Sequence, residues 1–168
     1  GLVGSEMCIR DSNICMGNGA GDEITTGASN IGIGQLSLGG WDQSTAGTGD
    51  NNVAIGQKCM GKWTTGTQNI CIGYQAGEDI TTGGYNVFIG ASASRTTANG
   101  STCNYSISIG EGSKVRNGSN NIAIGNSADC GVGNTNTIVL GNTSITSFSV
   151  PGVVCQQHLL VYQMQKET

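Results

Sequence analysis

The apolar residues of this chain occur as short triplets, each closed by glycine and usually opened by asparagine. Eight such phrases occur, and their closing glycines lie 17, 22, 17, 17, 20, 15 and 16 residues apart. The phrases are Asn13–Gly17, Asn30–Gly34, Asn52–Gly56, Asn69–Gly73, Asn86–Gly90, Ser106–Gly110, Asn121–Gly125 and Thr137–Gly141. A fixed phrase at a short, near-constant spacing is typical of a solenoid, in which each turn of chain stacks on the one before. The pattern therefore predicts an all-β solenoid of about eight coils.

Each triplet has two kinds of position. Successive side chains of a strand point to opposite faces, so the outer two residues share one face and the middle residue takes the other. The outer positions are aliphatic and mostly β-branched, as in Ile70 and Ile72, and we expect them to lie inside the coil. Six of the eight middle residues are small, which suits a face that packs closely against something or stays flat in solvent. The middle residues are Cys15, Gly32, Ala54, Cys71, Phe88, Ser108, Ala123 and Val139.

The phrase also assigns structural roles to its ends. Stacked asparagines can hydrogen-bond one above another as an amide ladder, although asparagine also simply tolerates turn conformations. The closing glycine marks a sharp turn where a side chain would clash or would require a positive φ. The repeat residues that define these roles most clearly are Asn52, Ile55, Gly56, Asn69, Ile72, Gly73, Asn86, Ile89, Gly90, Asn121, Ile124 and Gly125.

A second small residue follows each closing glycine by three positions. We expect it to lie in a second, shorter strand that completes the coil, after which three coils carry a Thr-Thr-Gly turn. The small residues are Ala20, Ser37, Cys59, Ala76, Ala93, Ser113, Ala128 and Ser144. The turns end at Gly27, Gly66 and Gly83. Each coil is thus predicted to consist of two short strands and two turns.

Composition narrows the class of protein. The chain has 29 glycines but one proline in 168 residues, which excludes collagen. Charged residues make up 11% with a net charge of −4, and no basic cluster suggests a nucleic-acid partner. No run of 18 apolar residues encodes a membrane-spanning helix. Because the chain does not begin with methionine, we expect it to be a fragment.

The two ends depart from the repeat. Residues 1–12 match neither its phrase nor its spacing and resemble translated adaptor sequence, the alternative being an irregular N-terminal cap. Pro151-Gly152 is where the repeats are expected to end. We therefore divide the chain into a suspected non-native segment (1–12), a repeat domain (13–152), and an irregular tail or start of a neck (153–168).

The phrase resembles the head repeat of YadA-like trimeric autotransporter adhesins. Asn52-Val-Ala-Ile-Gly-Gln-Lys-Cys59 and Asn121-Ile-Ala-Ile-Gly-Asn-Ser-Ala128 carry this resemblance, and Tyr74–Gly83 and Ile138–Gly152 are similar to segments of phage tail fibres. The resemblance implies a left-handed parallel β-roll, three identical chains in one rod, and attachment to host or matrix surfaces. It also implies an extracellular, cell-surface or virion location. The coil spacing is wider than in the tightest bacterial heads.

Residues that could support catalysis or metal binding are sparse. Seven cysteines show no Cys-x-x-Cys pair, and Cys15, Cys59 and Cys71 occupy slots for small apolar residues. The single histidine, His158, lies in the tail, and most carboxylates fall in turns. We therefore predict no catalytic residue, metal or cofactor, and no enzymatic activity.

Three functional classes remain to be weighed. An adhesive fibre segment is favoured over an ice- or crystal-binding solenoid, because the threonine pairs occur in only three coils. A β-helix acyltransferase would need aliphatic residues every six positions and a histidine between coils. The predicted surface contacts lie in the two longer insertions, residues 39–50 and 94–104. They are Trp41, Asp42 and Arg95.

Overall fold

Nine strands form a single sheet in the computed structural model, which describes residues 7–8, 12–39, 46–95 and 102–147. The strands are β1 (Met7–Cys8), β2 (Ile14–Met16), β3 (Ile31–Ile33), β4 (Val53–Ile55), β5 (Ile70–Ile72), β6 (Val87–Ile89), β7 (Ile107–Ile109), β8 (Ile122–Ile124) and β9 (Ile138–Leu140). Strands β2 to β9 pair in parallel and in chain order, and the described residues contain no helix. About seven turns of chain connect these eight strands, which confirms the predicted β-solenoid.

The register of the sheet follows the repeat without slippage. Ile70 pairs with Val87, Cys71 with Phe88 and Ile72 with Ile89, and the same one-to-one match holds at every parallel interface. Strand β1 differs, because it pairs antiparallel with β2. Residues 7–8 therefore do not form a further coil of the stack.

The two faces of the sheet are the reverse of what the triplets predicted. The middle residues of β2 to β8 point into the coil, where Cys15, Ala54 and Cys71 are fully buried. The outer residues face outward, and 37% of the surface of Ile72 is accessible to solvent. The prediction that the aliphatic residues lie inside was therefore wrong. The coil is thin, so its two legs leave room for little more than a small side chain between them.

Larger interior side chains are matched by glycines. A Cβ atom on Gly77 would lie 3.2 Å from the Phe88 ring and 2.8 Å from the Cys71 sulfur. A Cβ atom on Gly32 would lie 3.0 Å from the side chain of Leu38, which is fully buried. Interiors are packed to near-crystalline density, so a large residue in one leg requires a missing side chain in the other.

The return leg is built from turns rather than from the predicted second strand. Its parallel pairings are isolated bridges rather than strands, as at Ile24–Gly47 and Lys114–Asp129. Left-handed residues recur along this leg, as at Lys58 (φ 58°) and Met60 (φ 51°), so the chain turns too often to remain extended. The small residues predicted for that strand lie in these turns, and those from Ala20 to Ala128 are buried.

The asparagine ladder is confirmed, and it lies inside the molecule. The Asn69 side-chain amide donates to Asn52 Oδ1 (3.0 Å), and that of Asn86 donates to Asn69 Oδ1 (2.9 Å). The same amide groups also donate to backbone carbonyls of the next coil, as Asn69 does to Gly83 (2.8 Å). Each asparagine therefore joins its own coil to both neighbours.

The closing glycines are required by close backbone approach. Gly73 has φ 134°, and a Cβ atom there would lie 2.6 Å from the carbonyl oxygen of Gly90. This is a conformation that residues with side chains rarely adopt. Equivalent positive φ values occur at the other predicted turn glycines, Gly56, Gly90 and Gly125.

Among the described residues, no helix combines the length and the apolar character that crossing a membrane requires.

Candidate interaction surfaces

The outward face of the sheet is an uninterrupted aliphatic surface. Each of the eight parallel strands contributes two outer residues, and every one is isoleucine, valine, leucine or methionine. We call this surface the aliphatic face. With about 4.8 Å between neighbouring strands, seven steps give the face a length of roughly 34 Å.

The side chains of the aliphatic face are substantially exposed. Nine of its sixteen side chains are exposed, from 36% at Ile33 to 66% at Ile138, and the other seven are partly buried. Soluble monomers rarely present a contiguous apolar surface of this kind, and such patches mark sites of association. Ile55, Ile72, Ile89 and Ile124 were predicted as structural repeat residues, and the structure places all four on this face.

A second exposed feature lies at the corner before the asparagine ladder. The rings of Tyr85 and Tyr105 stack with centroids 4.9 Å apart and planes inclined by 15°. Each tyrosine directly precedes a ladder position, Asn86 or Ser106, and each is at least half exposed. The in-phase repeat therefore stacks the two rings along the rod. Sequence reasoning missed this pair, although the shared position within the repeat could have indicated it.

The return leg carries the ion pairs of the described chain. Lys62 Nζ lies 2.7 Å from Asp79 Oδ1, and Arg95 Nε lies 2.6 Å from Glu78 Oε2. Asp79 and Glu78 are buried, which makes an opposite charge beside each of them important for stability. Arg95, predicted as a surface contact, is exposed, but its guanidinium is also held in place by the buried Glu78.

Near the C-terminal end of the described stack, Arg116 pairs with Asp129. The guanidinium donates to both carboxylate oxygens of Asp129, and this hydrogen bonding lowers the pKa of the Asp129 carboxyl. The nearby Lys114 ammonium lowers that pKa further through its charge. A cleft of about 510 Å³ lies at this end, between the coils of β8 and β9, lined by Ser127, Asp129 and residues 139–144.

The buried thiols lie in the interior of the solenoid. Cys15, Cys59, Cys71, Cys103 and Cys130 are buried thiols that form no disulfide bonds with one another, and the Cys59 thiol donates to the carbonyl oxygen of Cys71 (3.1 Å). Burial raises the pKa of the Cys71 thiol, and neighbouring Cys59 raises it further. The Cys71 thiol therefore remains protonated and unreactive at neutral pH. Within the described ranges, no three histidine, cysteine or acidic side chains converge as a metal-binding group.

Other predicted positions are placed only in part. Trp41, Asp42 and His158 lie outside the described residues. Of the threonine pairs, Thr26, Thr65 and Thr82 are exposed, whereas the hydroxyl of Thr64 donates to the Thr81 carbonyl (2.9 Å). Threonine hydroxyls in the three coils are therefore not all available to a surface ligand.

We compared the chain with known protein families, curated proteins and solved structures. No family model, curated protein or solved structure matches the chain.

Proposed function

We propose that this chain is a non-enzymatic segment of a homotrimeric fibre that attaches to a host, matrix or other surface. The fibre would act outside the cell, on a cell surface or on a virion, as the heads of YadA-like adhesins and phage tail fibres do. The observation that supports this proposal is the aliphatic face, to which every parallel strand contributes two of its three residues.

The energetics of this face favour association with further copies of the same chain. Burying the exposed remainder of one isoleucine contributes about 1 kcal/mol, so sixteen such side chains contribute on the order of 10 kcal/mol per chain. That gain is comparable with the cost of association, about 4–15 kcal/mol. Copies of one chain have the same rise per coil, so their aliphatic residues match along the full length of the rod.

A closed trimer, the assembly that the resemblance to YadA-like heads implies, can bury this surface. Three flat sheets can close around a common axis with each aliphatic face turned inward, and closed symmetry leaves no copy of the face exposed. The corners and return legs then remain outside. These are the parts of the coil that carry the tyrosine pair and the ion pairs, and they are available for attachment.

The experiment is the molar mass of the chain by size-exclusion chromatography with light scattering. We expect three times the mass of one chain for the native sequence, and one chain mass for the double variant Ile55→Asp/Ile72→Asp. Gln57→Asp/Gln35→Asp is the matched control, because it adds two charges to an exposed corner of the solenoid. A monomeric native chain, or a double variant that remains trimeric, would contradict the proposal.

Surface attachment needs a separate test. The native chain and the monomeric double variant are applied to immobilised matrix proteins and to a glycan array. A multivalent rod should be retained far more strongly than its monomer, because linked sites rebind before they separate. Equal retention of the two forms, or retention of neither, would remove adhesion from the proposal.

A further inference from the structure

A small cleft on the return-leg corner brings together two of the cationic side chains of the described residues. It has a volume of about 240 Å³ and is lined by Ser92, Arg95, Gly112, Lys114 and Ser127. It lies on the coils of β6 to β8, on the return legs rather than on the outward face of the sheet. We call it the Arg95–Lys114 cleft.

The cleft exists because Gly112 has no side chain at a turn position that stacks from coil to coil. Ser92, Gly112 and Ser127 occupy the same turn position in three successive coils, with φ values of 54°, 62° and 55°. In other coils this position holds longer side chains, such as Lys58 and Gln75. A Cβ atom on Gly112 would meet only Ser127 Oγ, at 3.6 Å. Gly112 therefore leaves an open gap between the two serines, which lie about 10 Å apart across two coil steps.

Two cationic side chains and no acidic side chain line the cleft. Arg95 uses its Nε group on the buried Glu78, and a guanidinium carries further donors beyond that one. Among the described residues Lys114 forms no ion pair within 4 Å, although its charge acts on the neighbouring Asp129, which pairs with Arg116. Glu111 precedes Gly112 on the exposed corner and is not among the lining residues.

We propose that the Arg95–Lys114 cleft binds the anionic group of an acidic saccharide, either a carboxylate or a sulfate ester. This inference rests on the proposed attachment function and names its ligand class. Charged hydrogen bonds from Arg95 and Lys114 hold the anion, and the serine hydroxyls suit the hydroxyl groups of the sugar. The cleft, at about 240 Å³, has room for part of a sugar ring beside the anionic group.

Binding is measured by calorimetry on the full chain, with four probes. They are sialyllactose (a carboxylate), a chondroitin sulfate disaccharide (a sulfate ester), lactose (neutral) and sodium sulfate (no sugar). We expect one or both acidic saccharides to bind, with an affinity that falls as NaCl is raised. Lactose binding as tightly as either acidic saccharide would overturn the proposal. So would sodium sulfate binding as tightly, which would indicate a site for free anions.

Variants locate the site. Lys114→Gln should weaken acidic saccharide binding about tenfold or more, because it removes a charged hydrogen bond. Gly112→Gln should abolish binding by filling the gap, and Gln75 shows that this turn position accepts a glutamine. Lys58→Gln is the matched control, since it removes a lysine from the same column outside the cleft. Glu111→Gln should leave binding unchanged or strengthen it.

The same samples distinguish failure of this inference from failure of the proposed function. Circular dichroism and light scattering report folding and trimer formation independently of any ligand. A folded trimer that binds no acidic saccharide, or whose binding survives both Lys114→Gln and Gly112→Gln, would refute the cleft while leaving the fibre proposal in place. A monomeric native chain would refute the fibre proposal whatever the saccharides do.

Discussion

At the scale of single residues, the buried asparagines are the groups that tie one coil to the next. Asn69 donates to Asn52 Oδ1 and to the Gly83 carbonyl, and its own Oδ1 accepts from the backbone and side-chain amides of Asn86. At Ser106 the ladder contains a serine instead of an asparagine. Its hydroxyl oxygen accepts the hydrogen bond from the backbone N–H of Asn121 (3.2 Å), where an asparagine would accept it through Oδ1. The slot thus requires a short polar acceptor, and asparagine fills it with the most bonds.

Replacing Asn69 with alanine should therefore destabilise the fold strongly. The variant leaves the backbone N–H of Asn86 and the carbonyl of Gly83 buried without partners, and each costs about 1–3 kcal/mol. Asn126→Ala is the matched control, since Asn126 is exposed and makes one long contact of 3.5 Å with the Glu111 carbonyl. Chemical denaturation should show a loss of several kcal/mol for the first variant and little for the second. Similar losses for both would contradict the ladder's energetic role.

The Arg116–Asp129 pair predicts an acid-dependent contribution to stability. The pKa of Asp129 is lowered in the folded state, chiefly by its hydrogen bonds to Arg116, so the pair stabilises the fold above the unfolded-state pKa. The contribution is lost as pH falls through the lowered folded-state value. Both side chains are partly exposed, so the effect should be small. In melts below about pH 4, Asp129→Asn should flatten the pH dependence, and an unchanged slope would contradict this assignment.

At the scale of the coil, the closing glycine and the strand act as one unit. The triplet pairs in register with the next triplet, and the glycine then turns the chain so closely against the next coil that no Cβ atom fits. The return leg follows with left-handed residues rather than a strand. The coil is therefore asymmetric: one leg is hydrogen-bonded as sheet, and the other is a series of turns packed on small side chains.

Two glycines separate the cost of a clash from the cost of a positive φ. Gly73→Ala places a Cβ atom 2.6 Å from the Gly90 carbonyl oxygen, whereas Gly112→Ala meets only Ser127 Oγ at 3.6 Å. The Gly112 variant bears only the left-handed penalty, about 1–2 kcal/mol. The Gly73 variant should lose at least twice as much, because the backbone of two coils must separate. Thermal melts compare them, and equal melting temperatures would show that the close approach carries no cost.

At the scale of the whole molecule, the rod is a one-dimensional stack. Each parallel strand pairs only with its sequence neighbours, so stability is expected to depend on nearest-neighbour interfaces rather than on a single central core. The aliphatic face runs through all coils and is the surface on which the proposed trimer depends.

Removing one whole coil should therefore preserve the fold. Deletion of residues 70–86 removes one 17-residue repeat and joins Asn69 to Val87, which restores the phrase Asn-Val-Phe-Ile-Gly. We expect native-like circular dichroism, a lower melting temperature and an unchanged number of chains per particle. Deletion of residues 70–78 is the control, because half a coil shifts every later strand out of register. Loss of structure in both variants would contradict independent coils.

The repeat in the sequence was sufficient to predict the solenoid, a strand at each triplet, the turn glycines and the asparagine ladder. All of these depend on which residues recur at the same position in each coil, and recurrence is visible along the chain.

The direction in which the triplets face was decided only in three dimensions. Alternation separates Ile72 from Cys71 but does not say which lies inside, because that depends on the distance between the two legs of the coil. The same distance allows Cys71 and Ala54 to fill the interior and leaves the isoleucines outside. The Arg95–Lys114 cleft likewise depends on coils that are neighbours in space, since its lining residues come from three turns of the chain.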